Sequence, residues 1–275
     1  MSYAGTHSPR LKAARRLTKR AFRQRERAFL AEGPQAVAEA FSGGAALTDL
    51  FATVPARSRH SDLVAAIADA GIPVHLVSGE IMDELAQTVT PQGLLAVCGF
   101  IDVPLTGLKP GLALVALLAN VRDPGNAGTV LRTADAAGAQ AVVFADASVD
   151  PYNGKCVRAS AGSLFHLPVV AGARLEDAVA TMRAAGLRIV AADGRTGRSL
   201  DDPGVQARLA EPTAWMFGNE AWGLPPELVA LADEPIAVPI YGQAESLNLA
   251  AAAAVCLYAS ARAQRVRAVT GQDDT

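Results

Sequence analysis

A chain of 275 residues that is 51% hydrophobic has enough apolar side chain for one large core or two modest ones. Its longest apolar runs, Leu112 to Ala119 and Leu249 to Tyr258, are shorter than the roughly 20 residues that cross a bilayer, so no membrane span is expected. Three scattered cysteines (Cys98, Cys156, Cys256) and four scattered histidines (His7, His60, His75, His166) argue against disulfides and against a metal site. The basic N-terminus lacks an apolar stretch ending in a cleavage site, which predicts a cytoplasmic protein.

The formal net charge of −2 hides an asymmetry. Residues 10 to 27 carry nine Lys and Arg (Arg10, Lys12, Arg15, Arg16, Lys19, Arg20, Arg23, Arg25, Arg27) against Glu26 alone. Such a cluster suits a polyanion such as RNA, and it equally suits a solvated basic helix or frayed tail. Beyond it, Pro34 fits a first helical turn and Ala36 to Phe41 starts an apolar-faced helix. Leu47 to Val54 reads as a strand, Ser61 as the cap of a helix ending at Gly71, and Val74 to Val77 and Leu94 to Phe100 as strands around a short helix near Glu80 to Ala86. Ile101 to Gly111, with Pro104, Gly107, Pro110 and Gly111, reads as a linker.

After the linker, strands are predicted near Leu112 to Ala119, Ala141 to Phe144, Leu187 to Ala192, Ala214 to Phe217 and Ile236 to Val238. Helices alternate with them, near Thr129 to Ala137, Leu175 to Ala185, Pro226 to Leu231 and Leu247 to Arg262. Apolar strands alternating with helices predict an α/β fold whose mainly parallel sheet is covered on both faces.

Three loops at strand ends concentrate small and polar residues, where open α/β sheets bind ligands. The first, Asn120 to Gly128, runs through Asp-Pro-Gly to Asn126, with Arg132 on the following turns. A donor-rich helix start beside a guanidinium suits a phosphate or a polarised hydroxyl. The second, Phe217-Gly-Asn-Glu220-Ala-Trp-Gly-Leu-Pro225, sets one carboxylate between glycines that permit close backbone approach. The third, Val238 to Asn248, ends in Ser246, a natural helix cap, and in Asn248, an unusual choice for a first helical turn.

In this order and spacing the three loops resemble the signature motifs of the SpoU/TrmH family of SPOUT RNA methyltransferases. The resemblance extends to Arg158-Ala-Ser-Ala-Gly162 ahead of His166-Leu-Pro168. Phe29 to Gly33 and Pro91 to Val97 are similar to the family's RNA-binding domain, which has the fold of ribosomal protein L30e. The resemblance implies a basic segment at 1–27, an L30e-like α/β substrate-binding domain at 28–105, a SPOUT domain with a C-terminal trefoil knot at 106–268, and a tail at 269–275. It also implies a homodimer.

The activity implied is transfer of a methyl group from S-adenosyl-L-methionine (SAM) to a ribose 2′-hydroxyl, with 23S rRNA as the expected substrate and tRNA as the alternative. Family roles fall on Asn126, Arg132, Glu220, Ser246 and Asn248, and the backbone near Gly218, Val238 and Leu247 is implied to hold the cofactor. Two readings from other classes remain. One is an RNA-binding module without catalysis. The other is a nucleotide-binding fold with Gly125 and Gly128 at the phosphates and Asp146 at a ribose, although the glycines do not follow G-x-G-x-x-G.

Overall fold

The computed structural model describes residues 2–3, 8–145 and 147–270. Asp146, which the nucleotide-fold reading needs, lies outside them. The chain forms two units, Met1–Ile101 with Asp150–His166, and Asp102–Val149 with Leu167–Thr275.

In the first unit, β1 (Ser2–Tyr3) is followed by helices α1 (Pro9–Arg16) and α2 (Arg20–Glu26), then β2 (Ala28–Glu32), α3 (Pro34–Ser42) and β3 (Leu47–Thr53). Next come α4 (Val54–Arg59), α5 (Ser61–Asp69), β4 (Val74–Val77), α6 (Gly79–Leu85) and β5 (Leu94–Gly99). The sheet order is β1-β4-β3-β5-β2, with β5 antiparallel to both of its neighbours.

The basic segment is neither a tail nor a solvated helix. Leu11 and Ala14 of α1 and Leu17 at its C-cap recur at helical spacing and sink into a core with Phe51, Met82, Leu85 and Leu95. Arg23 is buried as well. Its Nε and Nη2 donate to Asp150 Oδ2 at 2.9 and 2.7 Å, and Nη1 donates to the carbonyls of Leu17 and Thr18, both at 3.0 Å. A guanidinium is buried at tolerable cost only when its charge and its donors are met this fully.

Two local expectations change. Ser61 is the first residue of α5 rather than its cap, because a separate helix, α4, precedes it and is capped by Thr53 through Ala56 N–H. The segment after Asp150 adds α8 (Gly154–Ala159), whose Arg158 donates to Glu32 Oε2 at 2.8 Å and to the Gln87 carbonyl at 2.8 Å. The Arg158-Ala-Ser-Ala-Gly162 motif therefore fastens this segment to β2. Gly162, at φ 99°, has a structural reason to be glycine, since a Cβ there would lie 2.5 Å from Glu39 Cγ.

The second unit contains β6 (Leu114–Ala119), α7 (Pro124–Ala137), β7 (Ala141–Ala145), β8 (Val169–Ala173), α9 (Leu175–Ala184) and β9 (Arg188–Ala192). It continues through α10 (Pro203–Gln206), β10 (Thr213–Phe217), α11 (Pro226–Val229), β11 (Glu234–Ile236) and α12 (Leu249–Thr270). Its six strands are parallel in the order β11-β9-β10-β6-β7-β8. All six residues of β6 are buried, as expected of a strand covered on both faces. β8 escapes the sequence reading because its apolar run is brief and carries Gly172. The predicted linker is not free: Val103, Leu105 and Leu108 pack on this unit's core, and Val103 N–H donates to the Val169 carbonyl at 2.9 Å.

From β6 the chain builds outward through β7 and β8, then crosses to lay β9, β10 and β11 on the other side. The direction of winding thus reverses between the adjacent strands β6 and β10. The loops leaving their C-terminal ends therefore lie side by side at a switch point, the place where parallel sheets bind ligands.

All three cysteines are buried, and burial pushes the Cys98 and Cys256 thiols up to about 12. A thiol reacts as its thiolate. Alkylation with iodoacetamide at neutral pH is therefore expected to leave the native protein unlabelled and to modify all three cysteines once it is denatured, which mass spectrometry would read.

Candidate active site

The first loop begins where β6 ends. Asn120 takes a left-handed conformation, φ 60°, which an asparagine tolerates better than most side chains. Three residues on, Asp123 caps α7 by accepting from Asn126 N–H at 2.8 Å, and Pro124 occupies the first helical position. The helix thus starts five residues before the predicted Thr129, and the Asp-Pro pair is its signal.

The second loop leaves β10. Asn219 and Gly223 exchange two backbone hydrogen bonds, each 2.9 Å, closing a tight hairpin around Glu220, Ala221 and Trp222. Asn219, itself buried, accepts from Ala221 N–H at 2.9 Å and donates to the Asn120 carbonyl at 3.0 Å. Gly218 must lack a side chain, because a Cβ there would lie 2.5 Å from the carbonyl carbon and oxygen of Gly223. A rigid loop results, bonded to the loop beside it.

Glu220 joins the two loops chemically. Its Oε1 accepts from Asp123 N–H at 3.0 Å and from Asn126 Nδ2 at 3.4 Å, and its Oε2 accepts from Arg122 N–H at 3.2 Å. The third loop enters through Asn248, whose Nδ2 donates to Asn126 Oδ1 at 3.0 Å. Asn248, Asn126 and Glu220 therefore form one hydrogen-bonded chain drawn from three separate loops. Each amide is fixed by its partners, since donating one way requires accepting the other.

Asn248 also corrects the expected cap of the last helix. α12 starts at Leu249, not Leu247, and Asn248 is its N-cap, accepting from Ala250 N–H at 2.9 Å. Ser246 is exposed in the preceding loop and has no hydrogen-bond partner among the described residues. An asparagine that looked odd inside a first turn is ordinary one residue before it.

Of the five residues assigned polar roles, the structure joins Asn126, Glu220 and Asn248. Arg132 stands apart, six residues beyond Asn126 and so about 9 Å further along α7. It is exposed and makes no hydrogen bond or ion pair among the described residues. Arg122, Asp123, Asn120 and Asn219 were not singled out from the sequence. Asp123 had a readable signal in Asp-Pro, whereas the roles of Asn120 and Asn219 depend on β6 and β10 being neighbours.

Gly218, Val238 and Leu247 share a different property. The backbone N–H and carbonyl groups of all three lack hydrogen-bond partners among the described residues, and Gly218 is buried. Buried backbone groups are almost always paired, so the unpaired N–H and carbonyl of Gly218, the buried one of the three, fit a ligand that supplies the partners. The described residues include no cluster of three His, Cys, Asp or Glu side chains able to hold a metal ion, and no helix long and apolar enough to cross a membrane.

Comparison with known proteins agrees with this geometry. Residues 113–258 match the sequence model of the SpoU rRNA Methylase family, and residues 8–96 match that of the MRM3-like substrate binding domain. The chain is 36% identical over 236 residues to the 23S rRNA (guanosine(2553)-2′-O)-methyltransferase RlmP of Bacillus subtilis, covering 86% of this chain and 89% of that protein. The crystal structure of an AdoMet-bound rRNA methyltransferase from Sinorhizobium meliloti superposes with a TM-score of 0.79 at 31% identity, over 94% of this chain and 96% of that one. The SpoU methyltransferase AviRb of Streptomyces viridochromogenes, in complex with AdoMet, gives a TM-score of 0.81 at 27% identity, over 94% and 99%.

Proposed function

We propose that this chain, which belongs to the SpoU rRNA Methylase family, transfers the methyl group of SAM to a ribose 2′-hydroxyl of 23S rRNA in the cytoplasm. The observation that carries the reading is the meeting of Asn126, Glu220 and Asn248, from three loops, at the point where the sheet reverses its winding. A nucleotide-binding fold needs no such chain, and a binding module that had lost catalysis would have no reason to keep it.

The unpaired backbone groups at Gly218, Val238 and Leu247 fit SAM, and its sulfonium supplies the electrophilic methyl group when bound. The protein's own residues then align and polarise the ribose hydroxyl, whose proton passes to water as the oxygen receives the methyl group. Arg132, whose guanidinium has no partner among the described residues, takes the phosphate of the target nucleotide and favours the developing oxyanion. A guanidinium stays protonated, so its part is electrostatic and it does not act as the base. Glu220 and Asn126 hold the first loop in place, Asn248 ties in the third, and Ser246 is available to the ribose or to the methionine end of the cofactor.

Residues 28–105 serve in this reading as the RNA substrate-binding domain and residues 106–268 as the methyltransferase domain, with the C-terminal trefoil knot and the homodimer of the family. The dimer is supported by Val255, Tyr258, Val266 and Val269, which leave an exposed apolar stripe along α12. Comparing 2′-O-methyl sites in total RNA with and without the gene tests the activity directly: loss of one site in 23S rRNA is expected, and an unchanged map would reject it. Calorimetry with the purified protein is expected to show SAM binding without RNA or added metal. Binding of NAD in place of SAM would return the nucleotide-fold reading.

RNA affinity should rest partly on α1 and α2. Lys12, Lys19 and Arg20 are exposed and have no partner among the described residues, whereas Arg23 is used internally. Changing all three to Gln should lower the slope of log affinity against log salt by about 0.7–0.9 per charge that contacts phosphate, with kcat unchanged. An unaltered slope would place the RNA elsewhere. Deleting the segment is a poor test, because Leu11, Ala14 and Leu17 belong to the core.

A further inference from the structure

Two tryptophans occur in the chain, and they have opposite environments. Trp215 is fully buried, with its Nε1 donating to Ser260 Oγ at 2.9 Å. Trp222 is 55% exposed at the tip of the hairpin closed by Asn219 and Gly223. Tryptophan is ordinarily among the most heavily buried side chains, since its indole carries so much apolar area. Leaving one in water on a mobile loop would be unremarkable, but this loop is not free to bend. Asn219 pins it to Asn120, and Glu220 pins it to the backbone of Arg122 and Asp123.

The same hairpin holds the backbone of a cation without employment. Arg122 is exposed, its backbone N–H is held by Glu220, and its guanidinium makes no hydrogen bond or ion pair among the described residues. An aromatic side chain two residues after Glu220 and an arginine whose backbone that carboxylate holds thus belong to one bonded pair of loops. Single-stranded bases are held in this way, the ring stacking on an aromatic side chain while a cation meets the phosphate. The apolar stripe suited to a second copy of the chain lies instead on α12.

We propose that Trp222 is the stacking platform for a base of the RNA delivered to this site, a role that rests on the methyltransferase reading above. Because the hairpin is already fixed, stacking orders little besides the RNA. Trp222 is a positioning residue: it touches a base and leaves the methyl transfer to the neighbouring groups.

The test compares Trp222→Ala, Trp222→Leu and Trp222→Phe with the wild-type protein, using an in vitro transcript of 23S rRNA. For Trp222→Ala, KM for RNA should rise about 5- to 100-fold, as expected for one lost base stack. Its kcat and SAM affinity should stay within about twofold of wild type. Trp222→Phe should recover most of the loss and Trp222→Leu little, because leucine has bulk without a π face. Titrating the transcript should quench the emission that separates wild type from Trp222→Phe.

Equal behaviour of the Leu and Phe variants, an unchanged KM in the Ala variant, or conversion of the Ala variant from dimer to monomer in sedimentation would each overturn the assignment. A wild-type protein that binds SAM yet never methylates the transcript would instead count against the proposed function. The quenching titration would still decide whether a base stacks on Trp222.

Discussion

Arg132→Ala is expected to lower kcat and kcat/KM together by about 100-fold or more, the usual size of effect when one donor to a developing oxyanion is removed. The fold and SAM affinity should be nearly unchanged, because Arg132 is exposed on α7 and no described residue depends on it for a hydrogen bond or an ion pair. Arg132→Lys should recover little, since an ammonium cannot reproduce the planar donor fork. Steady-state kinetics on RNA, with SAM calorimetry on each variant, separate the alternatives. A rise in KM alone would make Arg132 a binding residue, and near wild-type kinetics would leave it an ordinary surface arginine.

The second large effect concerns stability. Arg23→Ala should cost about 3–5 kcal/mol, the range seen when one partner of a buried ion pair is removed. The Asp150 carboxylate would remain buried with its charge unmet, although Oδ1 would still accept from Tyr152 N–H at 2.9 Å. Replacing both partners, as in Arg23→Met with Asp150→Leu, should cost less than the single change, because no charge is then left unpaired. Urea denaturation followed by circular dichroism would read both. If Arg23→Ala melted at the wild-type midpoint, the pair would be structurally idle.

Periodicity made the frame of both units legible. The strands at 114–119, 141–145, 188–192 and 213–217 and the helix at 175–184 are continuous patterns that local sequence alone specifies. Short or atypical pieces escaped: α4 and α8 span six residues each, and β8 contains a glycine. The fate of Arg23 was illegible for a different reason. Nothing near residue 23 says that its partner lies at residue 150, and in a run of nine basic residues it looks like the others.

At the candidate site, the polar residues were found by resemblance to a family, and the structure adds how they bond to one another. Asn126, Glu220 and Asn248 are far apart in sequence and meet only because β6 and β10 are neighbours. Asn219 and Asn120 belong to the same arrangement, but nothing in their own neighbourhoods marks them. Asn248 shows the limit of local rules from the other side. Serine at 246 and asparagine at 248 are both good caps, and the choice between them fell to the residue that also bonds to Asn126.

The segment Asp150–His166 has a consequence for synthesis. It belongs to the first unit but is encoded after β6, α7 and β7 of the second. As the chain leaves the ribosome, the first sheet is complete once β5 has emerged, yet Arg23 must wait a further stretch for the carboxylate that lies 127 positions after it. The N-terminal unit therefore cannot mature as an independent vectorial module. A fragment ending at Ile101 would leave that guanidinium without its counter-ion, and one starting at Asp102 would carry the buried Tyr152 without Phe29 and Phe100, the rings it packs against. In this protein the sequence boundary between the two units is not a place where the gene can be cut.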